Sequence, residues 1–163
     1  MLRITLLEFL LRGLPEAFLM VFAVYSFSKI TVMIKKYIIT SMLFVIAVCL
    51  IRLLPIQYGV HTILNIIVLI VLTVNINKIN IIKSIQASIM VAILEFICEG
   101  INMFIIQYIF RLNVKYVLSK PLVKTLYGLP SLLIFAAIVS IYYFRLAKRN
   151  KLTEVKKDRK SVV

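Results

Sequence analysis

Five apolar runs, each about long enough to cross a bilayer, constrain this chain more than any motif in it. A spanning helix needs about 20 apolar residues. The runs cover roughly 4–28, 37–54, 58–75, 81–110 and 122–146. Lipid offers no hydrogen-bond partners, so a spanning backbone must satisfy itself, as a helix or a closed barrel. Barrel strands alternate polar and apolar residues, and these runs do not. The expected fold is all-α: a polytopic transmembrane helical bundle of about five spanning helices over residues 1–146, with a basic cytoplasmic tail at 147–163. Composition agrees, since 63% of the 163 residues are hydrophobic and only 16% are charged. Soluble domains are about half apolar and about a quarter charged. The opening MLRITLLEFLLRGLPEAF is interrupted by Glu8 and Arg12, and no small-x-small cleavage site follows. It is therefore expected to stay in the mature protein.

A formal charge of +14 would suit a nucleic-acid binder, but the basic residues are in the wrong places. Of the 20 Lys and Arg, eight fall within residues 145–163: Arg145, Lys148, Arg149, Lys151, Lys156, Lys157, Arg159 and Lys160. The others flank the apolar runs. This is the pattern that sets membrane topology, not the basic face of a nucleic-acid reader, and no nucleic-acid partner is expected. The tail prefers the cytoplasm. Near an anionic leaflet each basic residue contributes about 1 kcal/mol of attraction, which makes Lys148, Arg149, Lys151, Lys156 and Lys157 candidate membrane-surface residues. With five spans the N-terminus is outside. The loop holding Lys29, Lys35 and Lys36 is then inside, as is the one holding Lys78 and Lys83. The loop with Arg111, Lys115, Lys120 and Lys124 falls outside, so the tail decides the orientation.

A Leu-Pro unit recurs in RGLPE (12–16), RLLPI (52–56) and YGLPS (127–131). Proline suits a first helical turn and disturbs an interior. Pro55 and Pro130 can start the third and fifth helices, and Pro15 either kinks the first or starts it. All three fall toward the outer side, as helix punctuation or as breaks that shape an outward cavity.

The polar residues inside the apolar runs are costly there and need partners. At 100° per residue, Ser84, Ser88, Glu95, Glu99 and Asn102 fall within a stripe about 60° wide, so the fourth helix should point this face into the bundle. Glu8, Arg12 and Glu16 form a ladder four apart on the first run. His61 and Asn65 open the third, and Arg52 ends the second. Counting about 1.5 Å per residue from Ile81 puts Glu95 about 20 Å along the helix, near the middle of the membrane. The simplest arrangement is one outer-half cluster in which Arg12 and Arg52 pair with Glu16, Glu95 and Glu99. Glu95, Glu99, Asn102, Glu16 and His61 are the candidate ligand- or proton-binding residues. Four of the six acids, Glu8, Glu16, Glu95 and Glu99, belong to this membrane set. Only Arg12 and Arg52 oppose them, with His61 as a third candidate, so pairing can neutralise two or three. The acids read either as structural interhelical pairs or, where one or two are left over, as groups that hold a proton or admit a cation.

Other chemistry is sparse. The single histidine excludes a multi-histidine zinc site. There is no phosphate-binding glycine loop, and no metal or cofactor is expected. Cys49 and Cys98 read as small buried hydrophobes; a Cys98–His61 nucleophile lacks the glycine-rich context in QYGVHTIL.

Three stretches, LPEAFLMVFAVYSFSK, IRLLPIQYGVHTIL and LSKPLVKTLYGLPSL, resemble the multi-pass N-terminal membrane region of Agr-like sensor histidine kinases of Gram-positive spore formers, which also occurs as short stand-alone proteins. The resemblance covers most of residues 5–146. It implies a membrane sensing or signalling module that responds to a peptide or lipid-like cue. No phosphoacceptor helix or ATP-binding domain follows Leu146 in the sequence, so kinase activity is not implied.

These features lead to the expectation of a non-enzymatic sensory or regulatory module in the cell membrane. Its partners would be membrane lipids and a histidine kinase or another membrane protein, and homo-oligomerisation is compatible with the sequence. The alternative is a small transporter subunit, the substrate-binding component of an importer, using the intramembrane glutamates. Importers of that kind have six spans and a docking face of small residues, for which only Gly100, Ala87, Ala92, Ala136 and Ala137 are available. An anchor or assembly factor without a ligand is a third reading. Reporter tags placed at each terminus should be accessible on opposite sides of the membrane, the N-terminal one outside. A cytoplasmic N-terminal tag would overturn the five-span arrangement.

Overall fold

A computed structural model describes residues 13–53, 58–109, 121–149 and 152. Among them it contains five α-helices: α1 (Leu14–Phe27), α2 (Ile34–Leu53), α3 (Tyr58–Asn75), α4 (Ile81–Phe104) and α5 (Pro121–Lys148). A π-helical turn, Ile105–Ile109, extends α4. The fold is an all-α bundle, as the apolar runs require. Three segments are long and apolar enough to cross a membrane: Ile34–Ile51, Ile81–Tyr108 and Gly128–Lys148. Leu14–Phe27 and Val60–Asn75 are apolar but shorter.

Local sequence accounts for the helix ends. Pro15 occupies the first turn of α1, where its missing N–H is no loss. The Asn80 side chain caps α4 by accepting from the Ile82 N–H at 3.1 Å, satisfying a donor the helix cannot. α1 ends in a Schellman turn. The Lys29 N–H donates to Ser26 O at 3.1 Å and the Ile30 N–H to Tyr25 O at 3.1 Å. Pro130 departs from expectation: it lies inside α5 and does not start it. Pro121 opens that helix instead, so the polar turn ahead of Pro130 continues as helix. Pro55 lies outside the described residues.

α2, α3, α4 and α5 pack successively, and α1 packs against all four. No residue of α1 is exposed; Val21, Ala23, Val24 and Tyr25 are all 0% exposed. A helix apolar on every side belongs in the middle. Its contacts are aromatic as well as aliphatic. The Tyr37 ring of α2 meets Phe18, Phe22 and Tyr25 edge-on, and its hydroxyl donates to Phe18 O at 3.0 Å. From α5, Tyr143 packs on Phe22 and Tyr142 on Phe27.

The outer helices are polar inward and apolar outward. On α4, Ser84, Ser88 and Asn102 are buried, while Ile85, Ile89, Ile93, Phe96, Ile97 and Ile101 are exposed. α2 likewise exposes Ile34, Ile38, Ile39, Met42, Ile46 and Leu50 and buries Thr40 and Ser41. A water-soluble monomer does not present apolar surface on this scale, whereas a bilayer requires it. Some of the buried polar groups bond across helices. Thr40 Oγ1 donates to Asn77 Oδ1 at 2.8 Å. Thr73 and Ser84 share a hydrogen bond between α3 and α4, and Thr73 also donates back to Leu69 O at 2.7 Å.

Two stability outcomes follow, both measurable by denaturant unfolding in mixed micelles. Thr40→Val leaves the buried Asn77 amide without its donor and should cost about 0.6–2 kcal/mol. Ala23→Leu overpacks the central helix and should cost about 1–3 kcal/mol, while Ile46→Leu on the exposed face of α2 should be neutral.

Candidate functional site: an acidic crevice between three helices

The helices alternate in direction, so their ends fall into two groups. The loops at 28–33 and 76–80 and the last turn of α5 share one end. The first turn of α1, the second half of α4 and the first half of α5's apolar segment approach the other. Here a crevice is lined by Glu16 of α1, by Glu95, Cys98 and Glu99 of α4, and by Ser131, Leu132 and Phe135 of α5. Its free volume is about 10 Å³, near the minimum for one water molecule.

Helical spacing explains the α4 contribution. Glu95 and Glu99 are one turn apart on the edge of the inward stripe, and Cys98 lies about 60° round from Glu95, away from Glu99 and deeper in the inward face. Glu95 and Glu99 are half-buried and Cys98 is 1% exposed. Glu16 is brought in by Pro15, which sets the first turn of α1 with Glu16 following it. Ser131 holds the matching position after Pro130. It is 4% exposed, and its hydroxyl donates to Gly128 O at 2.7 Å, turning one polar group back onto the backbone. The two Gly-Leu-Pro units thus each deliver the next residue, Glu16 or Ser131, to the same crevice.

The structure therefore brings together three of the candidate residues, Glu16, Glu95 and Glu99. Asn102 is buried on the same face of α4, three residues beyond Glu99, and is not among the lining residues. His61 stands near the start of α3, half-buried, and no described side chain of α3 is among the lining residues. Arg12 and the side chain of Arg52, the expected charge partners, lie outside the described residues, as does Glu8. Cys98, Ser131, Leu132 and Phe135 were not expected at the site. The repeated Gly-Leu-Pro unit was the one available signal for Ser131. Both cysteines are free thiols.

Charge is segregated along the bundle. Glu16, Glu95 and Glu99 are the only acids among the described residues, and all three line the crevice. The described basic side chains, Lys29, Lys35, Lys36, Lys78, Lys83, Arg145, Lys148 and Arg149, belong to the opposite end. Lys151, Lys156 and Lys157 of the tail lie outside the described residues. Three carboxyl groups thus share one crevice with the apolar side chains of Leu132 and Phe135. Among the described residues no group of three or more His, Cys, Asp or Glu is disposed to hold a metal ion.

Adding a fourth carboxylate should expose this crowding. Ser131→Asp is expected to destabilise the bundle by about 1–3 kcal/mol, with Ser131→Asn, its neutral match in size, costing less. Equal unfolding midpoints for the two variants would show that the crevice is screened by water.

No protein-family model matches the chain, and no curated protein or solved structure matches it either. Functional interpretation of the crevice rests on its geometry and chemistry.

Proposed function

We propose that the chain is a non-enzymatic sensory or regulatory module of the cell membrane, with its C-terminal end at the cytoplasmic face. The observation that carries this reading is the convergence of Glu16, Glu95 and Glu99 on one crevice between α1, α4 and α5. Acids within membrane segments are costly and commonly mark substrate, ion or proton sites. Placed between three helices, they make helix packing depend on the charge and pairing of the crevice. A change in either would shift α1 or α5, and with α5 the basic tail that follows it. The gathering of basic side chains at the other end supports a cytoplasmic placement of that end. The partner on this reading is a histidine kinase or another membrane protein, engaged through the apolar outer faces or the tail.

The importer-subunit reading shares the same residues and ranks second. Room for about one water supports a site that changes state over one that holds an organic substrate, since ligand pockets span about 300–1,000 Å³.

Two experiments test the proposal. Affinity capture of the full chain from its native membranes in mild detergent should bring down a kinase or another signalling protein; capture of a pair of ATPases would replace it with the importer. Glu95→Gln and Glu99→Gln should leave membrane yield unchanged and shift the partner's output by about five-fold or more, the lower end of ordinary coupling between sites. If both variants leave every output intact, the sensory role of the crevice fails.

A further inference from the structure

The two loops at the basic end are built alike, and each holds a lysine in a backbone conformation that suits glycine. Lys29 (φ 56°) and Lys78 (φ 59°) are the non-glycine residues with positive φ among those described. Lys29 stands two residues beyond α1 and Lys78 three beyond α3, each in the left-handed conformation that glycine adopts without a Cβ clash. The sequence keeps a cation there instead. Both lysines are exposed, and both sit between anchored neighbours. Ile30 is 0% and Ile79 2% exposed. The Ile30 N–H is held by Tyr25 O at 3.1 Å and the Ile79 N–H by Thr73 O at 3.3 Å. The two cations are therefore presented from fixed positions.

The loops are also tied to the helices around them. Asn77, beside Lys78, accepts from Thr40 of α2 at 2.8 Å. Lys36 lies one turn before Thr40 on the same face of α2. The Val32 N–H of the first loop donates to the Tyr143 hydroxyl of α5 at 3.3 Å, close to Arg145, Lys148 and Arg149. The charges thus gather at one end of the bundle, and no acid among the described residues shares that end. An exposed apolar strip starts at the same place: Ile34, beside Lys35, is 71% exposed, and Ile38, Ile39 and Met42 continue it along α2.

We propose that Lys29 and Lys78, with Lys35 and Lys36 of α2, form a docking surface for anionic phospholipid headgroups, whose acyl chains lie along the exposed strip of α2. Charge complementarity selects the headgroup, and continuity with the apolar strip selects a lipid as its source. The inference requires only that the bundle sits in a bilayer and does not depend on the sensory reading.

The test uses the full chain in nanodiscs of phosphatidylcholine containing a minority of phosphatidylglycerol, with native mass spectrometry counting the phosphatidylglycerol retained after release. Lys29→Gly combined with Lys78→Gly removes both charges and relieves both backbones, so folding is not put at risk. Apparent affinity for phosphatidylglycerol should fall about five-fold for each lysine removed. Lys29→Arg with Lys78→Arg should retain the lipid. Lys115→Gln with Lys120→Gln, which loses the same net charge, should also retain it. Undiminished retention by the double glycine variant overturns the proposal. So does an equal loss in the Lys115 and Lys120 control, which would mean that net charge alone is responsible.

Discussion

The absence of water from the hydrocarbon core is the constraint on which the rest of this structure depends. A polar side chain that faces lipid has no partner, so each must turn inward and find one. Thr40 meets Asn77, and Thr73 meets Ser84. Tyr37 reaches the backbone of α1, and Ser131 returns to its own helix. Apolar side chains, free of that demand, cover the outside. The usual arrangement of a soluble helix is reversed on α2 and α4, whose isoleucines are exposed and whose serines are buried. Specific association between the helices then rests on close packing and on these polar contacts, since the lipid is as apolar as the side chains that face it.

The same constraint sorts the charges. Lysine and arginine can remain at the water interface only at the helix ends, and the described basic side chains, Lys29, Lys35, Lys36, Lys78, Lys83, Arg145, Lys148 and Arg149, stand at one end. The described glutamates cannot all do so, because Glu95 and Glu99 sit well along α4. They are accommodated where α1, α4 and α5 leave a small crevice. Pro15 and Pro130 stand next to that crevice. Pro130 deprives α5 of one backbone hydrogen bond within its length, which makes this the place where α5 is least able to resist bending. On the proposed reading, the acid cluster beside this weakened helix couples pairing in the crevice to helix position. That link is the physical basis of the regulatory reading.

Much of this was legible in the residues. The inward stripe of α4 followed from spacing alone, and Ser84, Ser88 and Asn102 are buried as that spacing requires. The limits of α3 coincide with its apolar run, and Asn80 marks the start of α4 in the manner of any capping residue. Other features were not legible. Pro130 looked like a helix start because a proline ahead of an apolar run commonly is one. The helix is in fact opened by Pro121, a second proline equally suited to that role. Local sequence does not rank two acceptable starts. His61 stands half-buried near the start of α3, and no described side chain of α3 lines the crevice.

The sequence by itself determined that the chain is helical and which face of α4 turns inward. These follow from lipid solvation and from the helical repeat, both properties of single segments. Only the tertiary structure decided that α1 takes the central place, that Glu16 joins Glu95 and Glu99, and that Ser131 and Phe135 complete the crevice. Five segments of similar hydropathy do not announce which is to be surrounded. That choice depends on how the side chains of several helices fit together at once, and no single segment encodes it.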